Sequence, residues 1–190
     1  MSHSIVSVVR VACLVCLVVV PRAGARTPPR KLPDVKYVAT PVEVVDRMLR
    51  IAQVTKKDVV YDLGCGDGRI IVAAAYRFGA RGVGFDVDPD RVRESRARAL
   101  AYGVQDRVTI KEADLFKQDL REATVITLYL LPRLNVQLLP QLKKLRPGTR
   151  ILSHAFDIDG IRPHRVYTVR CRDGLERKIY VYITPLQKVK

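Results

Sequence analysis

The sequence predicts an α/β fold: a mostly parallel, seven-stranded sheet closed by an antiparallel C-terminal hairpin strand. Three observations carry this expectation. Short β-branched strands alternate with helical patterns between residues 41 and 154, which implies a parallel sheet with helices on both faces. The first strand runs into a glycine loop that opens a helix. The chain then ends in two strands joined by Arg172-Asp173-Gly174, a hairpin turn signal. A length of 190 residues fits one domain with an appendage. With 48% hydrophobic and 28% charged residues, the composition excludes a disordered or collagen-like chain.

The elements follow in order. Thr40-Pro41-Val42-Glu43 reads as a capping box with proline at the first helical position. Val42, Val45, Leu49 and Ala52 recur at helical spacing, which predicts a helix over 41–53. The β-branched run 58–63 (DVVYDL) is the first strand, and the Ala- and Ile-rich stretch 69–78 a helix closed by Gly79. Residues 82–86 (GVGFD) form a second strand, and Asp88-Pro89 opens a helix that stops at Gly103. Residues 107–112 and 124–130 are the third and fourth strands. Pro132 opens a leucine-rich helix to about 145, and 150–154 is the fifth strand. Residues 166–171 and 177–184 make the hairpin. Right-handed crossovers then put a ligand at the carboxyl ends of the first strands, where the strand order reverses.

The front of the chain differs from the rest. Residues 1–33 contain five basic residues and no acid, and 11–20 is an unbroken apolar run. That run is short for a membrane span but fits a signal-peptide core, with Ala23-Gly24-Ala25 as a cleavage site. Four basic residues just after the run argue instead for a retained anchor. Residues 1–33 thus read as a signal-like or membrane-anchor segment and linker that contacts a membrane, and 34–190 as the folded domain. Cys13 and Cys16 sit in the apolar run, where a redox or metal pair has no polar setting. Cys65 and Cys171 show no pairing context, so no structural disulfide is expected. Residues 34–190 keep 29 Lys+Arg against 19 Asp+Glu, which favours an acidic partner.

The glycine loop, Asp62-Leu63-Gly64-Cys65-Gly66-Asp67-Gly68, narrows the ligand. A dinucleotide fingerprint would be G-x-G-x-x-G/A with a pyrophosphate at the helix N-terminus. Here the last of those positions is Arg69, and an acid stands two residues before the first glycine. A carboxylate there repels a pyrophosphate and attracts an ammonium. The pattern therefore suits S-adenosylmethionine, with Asp62, Gly64, Cys65, Gly66 and Gly68 around the ligand. Asp86, 22 residues beyond Gly64, can accept from both ribose hydroxyls. Asp114 follows the third strand, where a carboxylate can receive an adenine amino group. Tyr37 and Thr40 can close over the ligand from the first helix.

On these residues the chain resembles the class I S-adenosylmethionine-dependent methyltransferases, over essentially all of 35–190. More narrowly, it resembles the family of the ATP synthase c-subunit lysine methyltransferase and its bacterial relatives. Tyr37-Val38-Ala39-Thr40-Pro41, the 62–70 loop, 82–86, Tyr129-Leu130-Leu131-Pro132 and Ser153-His154-Ala155-Phe156-Asp157 carry the likeness. The resemblance implies a Rossmann-like class I methyltransferase fold, S-adenosylmethionine held by the glycine loop and Asp86, and methylation of a protein lysine, including one in a membrane-embedded substrate. It also implies a domain on a side of any membrane that contains the methyl donor. Two departures stand out. Cys65 replaces a frequent serine, a small-for-small exchange. The fourth strand ends in Leu-Tyr-Leu-Leu-Pro and not Asn-Pro-Pro-Tyr, which counts against methylation of adenine N6 or glutamine amides.

For the chemistry, Tyr129 is placed to line the acceptor pocket. His154 and Asp157, after the fifth strand, are candidates for a base or for orienting the acceptor. A His-Asp pair without a clear third ligand gives no metal site. The arginines 91, 93, 96 and 98 read as a solvated helix. A small-molecule or RNA methyltransferase and a non-catalytic S-adenosylmethionine-binding protein stand as alternatives. The basic charge keeps nucleic acid as an alternative partner, although no dedicated RNA-binding module is present.

Overall fold

A computed structural model of the protein describes residues 37–189. The expected leader and linker, with Cys13 and Cys16, lie outside the described residues. Among the described residues no helix is long and apolar enough to cross a membrane.

The strands are β1 (Val59–Leu63), β2 (Arg81–Asp86), β3 (Val108–Glu112), β4 (Val125–Leu128), β5 (Arg150–His154), β6 (Arg165–Arg170) and β7 (Glu176–Ile183). The helices are α1 (Val42–Ile51), α2 (Arg69–Phe78), α3 (Pro89–Ala101), α4 (Pro132–Gln137) and α5 (Leu139–Leu142). They build one seven-stranded sheet in the order β3-β2-β1-β4-β5-β7-β6. The first five strands are parallel, and β7 runs antiparallel to both β5 and β6. The order reverses between β1 and β4, so their carboxyl ends diverge into a crevice.

The central strands are apolar because both faces are covered. β4 is buried along its whole length, and β1 from its second residue on. On one face Val44, Val45, Met48 and Leu49 of α1 pack with Ile70 and Ala74 of α2 over Val60, Leu152 and Ile179. On the other, Leu134, Leu138 and Leu142 cover Leu63, Leu128 and Ile151. Asp58 ties the amino ends together, accepting from Thr124 Oγ1 at 2.7 Å and pairing with Arg150.

Three expectations need correction. The capping box does not form: Pro41 occupies the N-cap without a side-chain bond. Thr40 Oγ1 instead lies 3.3 Å from His154 Nδ1, and Glu43 Oε1 accepts from the Arg172 backbone N–H. Both side chains leave the helix end for tertiary partners. The leucine-rich helix over 132–145 is two short helices, α4 and α5, broken at Leu138. Pro140 cannot donate to the preceding turn, so a continuous helix loses a hydrogen bond there. The arginines of α3 are also not a plain solvated face. Arg96 Nη2 donates to the Ile110 carbonyl, Arg98 reaches the glycine loop, and Arg91 covers the Tyr37 ring.

Candidate active site

A cavity of about 500 Å³ opens at the carboxyl ends of β1, β2 and β4. Its position follows from the sheet: the strands end there, and the glycine loop crosses the crevice to start α2. Asp62, Gly64, Cys65, Asp86, Asp114, Tyr37, Thr40 and Tyr129 all line it, as the sequence suggests. Gly66, Gly68, His154 and Asp157 do not.

The loop is held open by geometry that side chains would destroy. Gly66 has φ +53°, and a Cβ on it would meet the Tyr37 ring at 2.2 Å. Gly68 has φ +75°, and a Cβ there would meet Ser95 Oγ at 2.0 Å. These two glycines act by letting Tyr37 and α3 press against the loop, not by forming the cavity wall.

Asp67 fixes the loop from below, a role with no forerunner in the sequence reading. Its carboxylate accepts from Arg69 Nε at 2.9 Å and Nη2 at 2.7 Å, and from Arg98 Nη2 at 2.6 Å. Burial pushes its pKa up, but the bonds and charges of both guanidinium groups outweigh it and hold the carboxyl below its usual range. Arg69 Nη1 also donates to the Thr40 carbonyl at 2.7 Å. One arginine thus ties the chain before α1 to the glycine loop. The D-G-R sequence at 67–69 was the available signal for this clamp.

The other carboxylates are held differently. Asp86 accepts from the backbone N–H groups of Gly66 at 2.8 Å and Asp88 at 2.9 Å. Burial raises its pKa, and these bonds only partly offset that. Asp114 caps the short 3₁₀ turn Leu115–Lys117 by accepting from the Phe116 N–H. Leu115 and Phe116 add an apolar wall beside it, which the sequence reading did not single out. Asp62 is 3% exposed, and its Oδ1 accepts from Thr127 Oγ1 at 2.7 Å. No cation is paired with it among the described residues. Burial raises its pKa to about 7 against the lowering effect of that bond. Asp62 is therefore a buried carboxylate whose environment calls for a positive ligand.

On the far side of the cavity, Tyr129, Leu130 and Leu134 form the wall. Tyr129 packs against His154 in a tilted arrangement, with ring centroids 4.0 Å apart, and stacks on Phe156 at 6.4 Å. His154 is fully buried, and its Nε2 has no hydrogen-bond partner among the described residues. Burial first, and the Arg177 charge second, lower its pKa to about 4, so its ring is neutral at physiological pH. It supports Tyr129 from behind. Asp157 is exposed on the turn after β5, where its backbone carbonyl accepts from Asn135 Nδ2. Cys65 and Cys171 are buried free thiols. Among the described residues no cluster of three or more His, Cys, Asp or Glu could hold a metal.

Comparison with known proteins bears on this geometry. The model of the ANTKMT methyltransferase domain matches residues 62–165, from the glycine-loop aspartate to the start of β6. The chain belongs to this family. A protein-lysine N-methyltransferase of Saccharolobus islandicus is 45% identical over 80% of this chain and 95% of its own length. The ATP synthase c-subunit lysine N-methyltransferase of Xenopus laevis is 31% identical over 72% of this chain, which spans only 58% of that relative. A crystal structure described as an RNA methyltransferase from Salinibacter ruber, in complex with S-adenosyl-L-homocysteine, is 47% identical. It superposes with a TM-score of 0.73 over 80% of this chain and 97% of its own. The family and the fold are those the sequence resemblance implied.

Proposed function

We propose that the protein transfers a methyl group from S-adenosylmethionine to the side-chain amine of a protein lysine. The carrying observation is Asp62, a buried carboxylate with no paired cation among the described residues, set at the mouth of a glycine loop beside Asp86 and Asp114. A donor with an ammonium, two ribose hydroxyls and an adenine amino group matches these three acids in type. Asp62 takes the ammonium, Asp86 the ribose, and Asp114 with Leu115 and Phe116 the adenine. Gly64, which lines the cavity, leaves the backbone close to the ligand. When bound, S-adenosylmethionine supplies a methyl carbon already activated by a sulfonium, so orientation is the protein's main task.

The acceptor side follows from the remaining wall. A lysine must arrive as the neutral amine. Tyr129, Tyr37, Leu130 and Leu134 surround its path with ring and alkyl surface, and desolvation disfavours the ammonium form. The Tyr129 hydroxyl can accept a bond from the amine and aim its lone pair along the transfer line. His154 lies behind Tyr129 and acts by holding that ring. The 45% identity to a protein-lysine N-methyltransferase supports the choice of acceptor.

An RNA acceptor is the second reading. It is favoured by the description of the Salinibacter ruber relative and by the basic charge. Incubation with methyl-labelled S-adenosylmethionine and cell lysate, followed by protease or ribonuclease, separates the two. Label released by protease and recovered as methyl-lysine supports the proposal. Label released only by ribonuclease overturns it in favour of RNA.

A further inference from the structure

The β6–β7 hairpin is outside the donor site yet adjoins it. β7 pairs with β5 so that His154 lies opposite Ile179, and the hairpin continues past the end of β5 through Lys178, Arg177 and Glu176. The Lys178 carbonyl accepts from the Ala155 N–H at 2.8 Å. Ala155 precedes Phe156, which stacks on the cavity residue Tyr129. Lys178 is therefore a short step from the acceptor wall.

One face of the hairpin, with Tyr167, Val169 and Ile179, packs on α1. The register puts Val166, Thr168 and Arg170 on the opposite face, across from Tyr180, Lys178 and Glu176. Val166, Thr168, Arg170 and Lys178 are all exposed, with Val166 at 44%. Among the described residues neither Arg170 nor Lys178 has a carboxylate partner, whereas Arg177 is engaged with Asp173. β6 is also the terminal strand, with β7 as its one neighbour among the described strands. An open strand edge offers main-chain groups that an extended polypeptide can pair with and a nucleic acid cannot match in register. Residues 1–33, basic and without an acid, are a poor electrostatic match for this face.

We propose that this face of the hairpin docks an acidic, extended segment of the acceptor polypeptide, which brings its lysine past Phe156 and Tyr129 into the cavity. The proposal rests on the protein-lysine reading and deepens it. It also removes an electrostatic difficulty: a basic enzyme repels a lone lysine, and acidic neighbours of that lysine restore attraction.

The test uses the full chain with S-adenosyl-L-homocysteine bound. Three labelled probes are compared by fluorescence anisotropy: a lysine peptide flanked by glutamates, the same peptide flanked by glutamines, and a single-stranded oligouridylate. The glutamate peptide should bind roughly tenfold more tightly than the glutamine peptide at low salt, and the gap should shrink as salt is added. The double variant Arg170→Glu, Lys178→Glu should lose that preference. Its melting temperature and its affinity for S-adenosyl-L-homocysteine should not change, which separates docking from misfolding. In turnover, the preference should appear in KM more than in kcat. Equal methylation of both peptides by the wild type overturns the docking proposal and leaves the lysine reading standing. Methylation of neither peptide, with the donor bound, overturns both. Binding of the oligouridylate through Arg170 and Lys178, with no peptide preference, makes the face a nucleic-acid surface instead.

Discussion

Two ends of one sheet carry opposite charge in opposite settings. At the carboxyl ends of β1, β2 and β3, aspartates 62, 67, 86, 88 and 114 gather around one cavity. On the β6–β7 hairpin, Arg170 of β6 and Lys178 of β7 stand in solvent. The aspartates are fixed by short internal bonds: backbone N–H groups for Asp86, Asp88 and Asp114, two arginines for Asp67, and a hydroxyl for Asp62. The hairpin cations have no such partners among the described residues. A buried charge with fixed donors is preorganised and selects one ligand by geometry. An exposed charge is screened, and it steers many ligands without fixing any. The donor end is built for a defined small molecule, and the hairpin for a variable partner.

Asp62→Asn sharpens this contrast most. The pKa of Asp62 is raised from the ordinary carboxylate value to about 7, so the folded state keeps a proton that the unfolded state has lost between those values. Stability therefore falls as pH rises through that window. The asparagine variant should escape the fall and be more stable at about pH 8, by up to about 4 kcal/mol, in thermal or denaturant melts. Its S-adenosylmethionine affinity should drop between about tenfold and a hundredfold. In the wild type, donor binding near pH 6 should release a proton, read as a calorimetric enthalpy that varies with the buffer. A buffer-independent enthalpy would break the assignment of Asp62 to the ammonium.

Asp86→Ala should weaken S-adenosylmethionine binding by about 1–3 kcal/mol in calorimetric titration, the scale of a lost charge-assisted bond. It should also lower the melting temperature, since the Gly66 and Asp88 N–H groups lose their acceptor. Gly66→Ala should cost a further, separable amount of about 1–3 kcal/mol in stability, from a positive φ and a Cβ driven into the Tyr37 ring. Unchanged melting would mean both that Tyr37 swings away freely and that the loop tolerates an alanine at positive φ.

His154→Leu probes the boundary between the two regions. The pKa of His154 is lowered to about 4, so the folded state resists the proton that the unfolded state takes up below about 6.5. That contribution to stability is lost as pH falls from 6.5 toward 4. The leucine variant should lack this acid-side loss, a difference of about 1 kcal/mol near pH 6. Methyl transfer should slow with little change in donor affinity, because Tyr129 loses its support. Arg170→Glu alone should have the smallest effect, within about 0.5 kcal/mol on stability and nil on donor binding.

The cavity-lining acids were legible because each stands at or just after the end of a strand, at a spacing that only a parallel sheet brings together. Asp62, Asp86 and Asp114 end up on one cavity for that reason. The side-chain partners of Thr40 and Glu43 were not legible. As a local pattern the two residues make a capping box, and local patterns say nothing of His154 or Arg172, which lie more than a hundred residues away. His154 and Asp157 were read as a pair at a strand end. In the fold the first is sealed behind Tyr129 and the second is exposed, because the chain turns between them. The arginines of α3 looked solvated by period alone, yet three of the four reach partners outside the helix, and Arg93 pairs with Asp90 within it.

The sequence by itself determined the strand–helix alternation, the glycine loop and the acids that follow the strands, since period, turn chemistry and charge are local properties. Only the tertiary structure decided which of those acids lacks a paired cation among the described residues, which glycines line the cavity and which serve packing, and which hairpin face is exposed. Those outcomes depend on burial and on partners distant in the chain, and burial is the property that turns Asp62 from an ordinary surface acid into a site for a cation.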